Sequence, residues 1–331
     1  MKNLLRRTFL AGALALPAAV LSPLSAYAEA KLTFATAYAG GDGQIGQTMQ
    51  KLKDLAAEKS GGSVNIELFF DSSLGTEREL LEALVTGAGD MSMAGISDVV
   101  YWMPEYFLSV PYLFESVAHV RAVYDGPIGK EIDQLMLEKK GLRTLAIMNR
   151  GARHVSSNKK IEKPADMNGL RLRLPENPLW IAIWKQLGVN ATTISYNELY
   201  TALQTGVVEA QENPLESIVN SKFYEVQKYV VLTGHVRDVY KIQISEKSWA
   251  KLTPEEQTAL QAAATEAALF GDGLLASSEE KSLEVLKDSG TEVIEVDTKA
   301  FSDAMADSKN IADQFLKPGL YQKVKDAAPK G

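Results

Sequence analysis

From Thr253 onward the chain is helix-compatible almost to Gly290, and that one stretch limits the architectures open to it. Thr253-Pro254-Glu255-Glu256 combines a capping hydroxyl, a proline at the first helical position and a glutamate at the third, so a helix starts there. Only Gly271-Asp272-Gly273 interrupts the helical pattern, and weakly. At ~1.5 Å per residue a continuous helix of this extent is about 50 Å long, more than one domain is wide. It must bridge two bodies, and 331 residues suffice for two lobes, each with its own core.

The front of the chain reads as α/β. Residues 31–38 alternate as a strand, 45–59 carry apolar side chains at helical spacing, and 64–70 form a second strand, a βαβ opening that predicts a parallel sheet. Thr76-Glu77-Arg78-Glu79 is a capping-box pattern starting the next helix, and 91–96 is a short buried strand. The aromatic and proline-rich residues 97–114 read either as a pocket wall or as a loop packed on the core through its rings. A helix over 116–140 leads to a strand at 142–148, and the basic, glycine-containing turn 149–154 is the expected crossing between lobes. Further strands are expected at 207–210, 230–232, 239–244 and 292–296, with helices at 179–187, 196–205 and 300–315. Lobe I is expected to hold 29–150 plus about 237–275, and lobe II 151–236 plus about 276–331.

Residues 1–28 read as a targeting segment: Lys2, Arg6 and Arg7, an apolar run from Phe9 to Leu24, and Ala26-Tyr27-Ala28 as the cleavage site. Arg6-Arg7-Thr8-Phe9-Leu10 resembles a twin-arginine export signal, and an ordinary secretory signal fits equally. Either route gives export, with the periplasm as destination. Without the segment's three cations the remainder is more acidic than the chain's net −7, which argues against wrapping nucleic acid. Zero cysteines remove disulfides, thiolate metal sites and a cysteine nucleophile.

Catalytic patterns are scarce. His119, His154 and His235 lie far apart with no metal-ligand spacing, and neither a zinc-protease nor a nucleophile-elbow motif occurs. Gly41-Asp42-Gly43-Gln44-Ile45-Gly46 matches a dinucleotide fingerprint between strand and helix, and makes an exported NAD(P)-dependent oxidoreductase the alternative reading. The match is weak, since the acidic residue it requires would be Glu67, in mid-strand.

The arginines point elsewhere. Gly169-Leu-Arg-Leu-Arg-Leu-Pro175 reads as a short strand with Arg171 and Arg173 on one face, stopped by Pro175. Arg173 is thus close to the carboxyl end of its strand, where open α/β sheets bind ligands, and its fork suits a carboxylate or phosphate. For Arg150 and Arg171 an internal salt bridge to Glu162, Asp166, Glu212 or Glu216 competes with ligand binding.

Ser73-Leu-Gly-Thr-Glu-Arg-Glu-Leu80, the Gly169 to Pro175 stretch, Tyr196-Asn-Glu-Leu-Tyr-Thr-Ala-Leu-Gln-Thr-Gly-Val-Val-Glu-Ala-Gln-Glu-Asn-Pro214 and Lys222-Phe-Tyr-Glu-Val-Gln-Lys228 carry a resemblance over essentially the whole exported chain. It resembles the substrate-binding proteins of tripartite ATP-independent periplasmic (TRAP) transporters, the DctP-like family. The resemblance implies two α/β lobes with a long helix spanning both, no cofactor and no enzyme activity. It also implies a small-molecule carboxylate ligand, such as a C4-dicarboxylate or sugar acid, passed to membrane permease subunits. By position in the motifs, Arg173 would pair with the ligand carboxylate and Arg153 would be a second cleft arginine. Asn213 would be a polar contact, Tyr196 would set a ring against the ligand, and Glu176 lies just past the key strand. Sialic-acid-binding members carry a glutamate where this chain has Ala94-Gly95-Ile96-Ser97, so sialic acid is disfavoured, with Ser97 left to contact a hydroxyl.

Overall fold

The computed structural model describes residues 29–329, so the expected export signal lies outside the described residues. Within them run β1 (Ala30–Ala35), β2 (Val64–Phe69), β3 (Met91–Ala94), β4 (Leu142–Asn149), β5 (Arg153–Ser157), β6 (Arg171–Leu174), β7 (Asn190–Thr193), β8 (Ala210–Pro214), β9 (Tyr229–Val236), β10 (Val239–Ser245) and β11 (Glu292–Ile294). They make two sheets, ordered β2-β1-β3-β10-β4 and β11-β9-β5-β8-β6-β7.

The βαβ opening does give parallel pairing of β1 with β2 and β3. By contrast β10 is antiparallel to both β3 and β4. It arrives from β9 through Arg237 and Asp238 alone, with no crossover helix to return the chain in the same direction. Outgoing β4–β5 and returning β9–β10 therefore run side by side, with Asn149 opposite Val239 and Arg153 opposite Val236. Between them the Arg150 amide donates to the Asp238 carbonyl at 3.0 Å. This double crossing sets Arg150, Arg153 and Asp238 where the two sheets meet.

The long helix is continuous from Pro254 to Asp288, 35 residues capped by Thr253 and Glu256 as the sequence predicts. It packs on α1 (Gln44–Lys59) and β4 beside the first sheet, then on the helix Leu215–Asn220 and β11 beside the second. Leu260, Ala263 and Ala267 of its inner face join Phe34, Ile66, Met93 and Ile242 of the first sheet in one core. Gly271 does not break it. A Cβ there would lie 2.1 Å from the Met148 sulfur and 2.4 Å from Thr48 Oγ1, whereas a Cβ at Gly273 meets nothing within 4 Å. Gly271→Ala should therefore lower the melting temperature through overpacking, by about 1–3 kcal/mol. Gly273→Ala should raise it by up to ~1 kcal/mol, the helix preference for alanine. Two melting curves decide; a stable Gly271→Ala variant would contradict the close packing of the long helix on β4.

Several boundaries differ from the sequence reading. The helix expected over 116–140 is two, Val117–Tyr124 and Pro127–Lys140, because Pro127 lacks an amide donor and disfavours helical geometry at Gly126. Residues 97–114 are not a plain loop but begin with a helix, Ser97–Trp102. The strand expected at 207–210 starts at Ala210 and continues to Pro214, so Gln211, Glu212 and Asn213 lie within the sheet. The last expected helix is split into Thr298–Ala304 and Ser308–Phe315. No helix among the described residues is long and apolar enough to cross a membrane.

Candidate functional site

At the glycine-rich turn the start of α1 is already taken by a carboxylate of the chain itself, which leaves the dinucleotide reading without support. Glu216, reaching across from the helix after β8, puts its carboxylate against the first amides of α1 at Gln44 and Ile45. Its other oxygen accepts from Ser278 on the long helix at 3.0 Å. A helix N-terminus attracts one anion, and here the chain supplies it. The glycines follow from this packing: a Cβ on Gly43 would sit 2.2 Å from Glu216 Oε1, and one on Gly46 would sit 2.1 Å from the Gly41 carbonyl. Glu67 is exposed on β2.

A cavity lies between the sheets, leaving about 70 Å³ in which the centre of a water-sized sphere can move. A single water needs roughly 10–15 Å³ by that measure, so several waters or one small organic molecule fit. All six residues singled out by the sequence, Arg173, Arg153, Asn213, Tyr196, Glu176 and Ser97, border it.

Arg173 stands at the carboxyl end of β6, buried, while Arg171 two residues earlier is exposed. Arg171 pairs with Glu209 and donates to the Gly206 carbonyl, outside the cavity. Arg173 donates Nε to the Ile194 carbonyl at 2.7 Å, and has no carboxylate within salt-bridge distance among the described residues. Burial pulls its pKa down to about 10; the charge of Arg153 acts the same way, and Glu212 opposes both.

Arg153 is already paired. From β5 it grips Glu212 of β8 through Nε and through Nη2 at 2.7 Å, and Nη2 also reaches Asn213 Oδ1 at 3.0 Å. Burial alone would raise the Glu212 pKa; the Arg153 charge and a hydrogen bond from His235 outweigh it and hold the carboxyl at about 2. His235 Nε2 lies 3.1 Å from Glu212, and its Nδ1 is 2.8 Å from the Thr233 hydroxyl. Asn213 Oδ1 also meets Arg150 Nη2 at 3.4 Å, so this amide ties two arginines together. Trp180 closes the side of Arg153, its ring 5.2 Å from the guanidinium and its indole N–H on the Ser109 carbonyl.

Tyr196 sets its ring edge-on to Tyr38 at 5.2 Å and shares a hydrogen bond with Ser221. Ser97 donates its hydroxyl to Glu77 Oε1 at 2.9 Å. Glu176 stands at the mouth and pairs with Arg78 of α2 (Glu77–Thr86) at 2.8 Å, a bridge from one sheet's elements to the other's. Both partners are exposed, so the pair is worth little by itself. His154 is buried with Nδ1 accepting the Gly234 amide, and does not border the cavity.

The sequence reading missed Glu77, Tyr38, Trp180 and Asp238. Glu77 is the first residue of α2, inside a capping box in which Thr76 and Glu79 explain the pattern without it. Its Oε1 accepts from the Gly95 amide and Ser97, and its Oε2 from the Tyr38 hydroxyl at 3.3 Å. Asp238 is buried with Oδ1 4.0 Å from Arg150 Nε; burial raises its pKa and Arg150 draws it back. A signal for Asp238 existed in Arg237-Asp238, a charged pair between two apolar strands.

Residues 34–317 match the family described as bacterial extracellular solute-binding protein, family 7. A solute-binding protein of Roseobacter denitrificans is 38% identical over 257 residues, covering 77% of this chain and 79% of its own length. The 2,3-diketo-L-gulonate-binding periplasmic protein of Escherichia coli is 35% identical over 271 residues, covering 81% and 82%. Among solved structures, a TRAP periplasmic solute-binding protein of R. denitrificans with bound L-galactonate superposes with a TM-score of 0.84 at 33% identity, covering 90% of this chain and 98% of that one.

Proposed function

Since the chain belongs to bacterial extracellular solute-binding protein family 7, we propose that it captures a small organic acid between its sheets and delivers it to a TRAP membrane permease. The observation carrying this reading is Arg173, a buried guanidinium at the edge of a cavity with no carboxylate in salt-bridge reach among the described residues. With Nε held on Ile194, the remaining Nη pair is the fork that takes both carboxylate oxygens. Arg153, its charge offset by Glu212, lends a further donor, Asn213 holds the arginines in register, and Tyr196 covers the ligand with its ring. Glu176 and Ser97 border the site while spending hydrogen bonds on the protein itself.

The lobes that close on the ligand are 29–150 with 237–275 and 151–236 with 276–331, hinged at the double crossing. The process is binding without chemistry, and it takes place in the periplasm after removal of residues 1–28. A thermal-shift screen against organic acids tests the reading. At 100 times Kd a ligand that binds only the folded state stabilises it by about 2.7 kcal/mol, a clear rise in melting temperature. If no carboxylate raises the melting temperature while NADP(H) does, the proposal fails.

A further inference from the structure

Arg150 is buried, yet it spends almost none of its hydrogen-bonding capacity on the protein. A guanidinium carries a fork of N–H donors, and among the described residues those of Arg150 meet a single acceptor, Asn213 Oδ1, at the long distance of 3.4 Å from Nη2. Its Nε has no partner, because Asp238 Oδ1 stands 4.0 Å away, near enough to offset the charge and too far to accept. Two rings hold the group in place instead: the guanidinium carbon lies 4.7 Å from the centre of the Tyr240 ring and 5.2 Å from that of Tyr38. Arg153 differs, since its Nε and Nη2 are spent on Glu212 and Asn213. Arg150 and Gly95 both border the cavity, and a Cβ on Gly95 would come 3.2 Å from Arg150 Nη1. The missing side chain leaves that nitrogen open to the cavity.

We infer that Arg150 is a second ligand-binding arginine, whose Nη1 donates to an oxygen of the bound acid other than those of the carboxylate on Arg173. This rests on the solute-binding reading. Arg173 fixes the carboxylate that every candidate acid carries, and Arg150 reads the rest of the molecule. Because Asp238 offsets its charge, Arg150 suits an acceptor rather than an anion alone: a hydroxyl, a carbonyl or a second carboxylate can each take the N–H. An alkyl group there leaves a buried donor unpaired, and a site built on such a donor rejects the analogue that lacks the oxygen.

Calorimetric titration of the exported protein with pairs of acids of equal chain length tests this: gluconate against hexanoate for hydroxyls, 4-oxopentanoate against pentanoate for a carbonyl, and succinate against butanoate for a second carboxylate. In at least one pair the wild-type protein should bind the oxygen-bearing acid about tenfold to hundredfold more tightly, and the pair that responds names the acceptor. Arg150→Met should erase that preference, whereas Arg173→Lys should weaken both members of the pair alike. The preference is a ratio within one protein, so in the monoanionic pairs the effect of the lost charge on all acids cancels. Gly95→Ala, which covers Nη1 and keeps Arg150, should lose the preference too, and it decides if Arg150→Met does not fold. No preference in any pair, or a full preference retained in the folded variant, overturns the role of Arg150 and leaves solute binding intact. If none of the acids binds, the solute-binding reading falls with it.

Discussion

Arg173→Lys should weaken ligand binding by about 30-fold to several thousand-fold, the range for truncating one partner of a buried, hydrogen-bonded charge pair. The fold should survive. Lysine keeps the charge but replaces a planar fork with one ammonium that can neither hold Ile194 nor face two oxygens in parallel. Stability responds in the opposite sense. Without ligand, Arg173 bears a cost of burial that the Glu212 charge offsets only in part, which is why its pKa falls to about 10. Arg173→Met should therefore melt no lower than wild type when ligand-free, and should lose ligand-induced stabilisation. Calorimetry and paired melting curves check both; wild-type affinity in Arg173→Lys would remove Arg173 from the anion site.

Glu212→Gln should show the reverse pattern, a loss of about 3–5 kcal/mol of stability, because it leaves Arg153 buried without its counterion. The direction of the shift sets the pH dependence. Glu212 has its folded-state pKa lowered from 4.5 to about 2, so its contribution is complete above the unfolded value and is lost as pH falls through the folded one. Wild-type stability should decline between about pH 4.5 and pH 2, with roughly 3 kcal/mol of the decline due to this one group. In Glu212→Gln that component should be absent. Denaturant unfolding at a series of acidic pH values measures it, and parallel wild-type and variant curves would show that the pair is not coupled to folding.

Arg173 also marks where reading the chain succeeds. The strand around Arg173 announces itself through alternation and a stop at Pro175, so its position at a carboxyl end needs no tertiary information. The long helix is equally legible, since its cap and its apolar spacing are local. The break at Pro127 is visible too, but a run of helix formers on both sides conceals it. Glu77 is hidden for a different reason: its neighbours fully explain a capping box, and only the packing of α2 beside Gly95 and Ser97 turns its side chain to the cavity.

Local sequence suffices for the two-body architecture, the strand that presents Arg173 and the family to which the chain belongs, because periodicity, caps and motifs are short-range properties. Which charges are spent is settled by tertiary packing alone. Arg153 is compensated since β5 lies antiparallel against β8 and brings Glu212 within reach, Arg171 meets Glu209 at the rim, and Glu216 fills the glycine-rich turn from about 170 residues away. A buried charge is costly or stable according to its nearest partners, and those partners are set by strand register and helix crossing rather than by position along the chain.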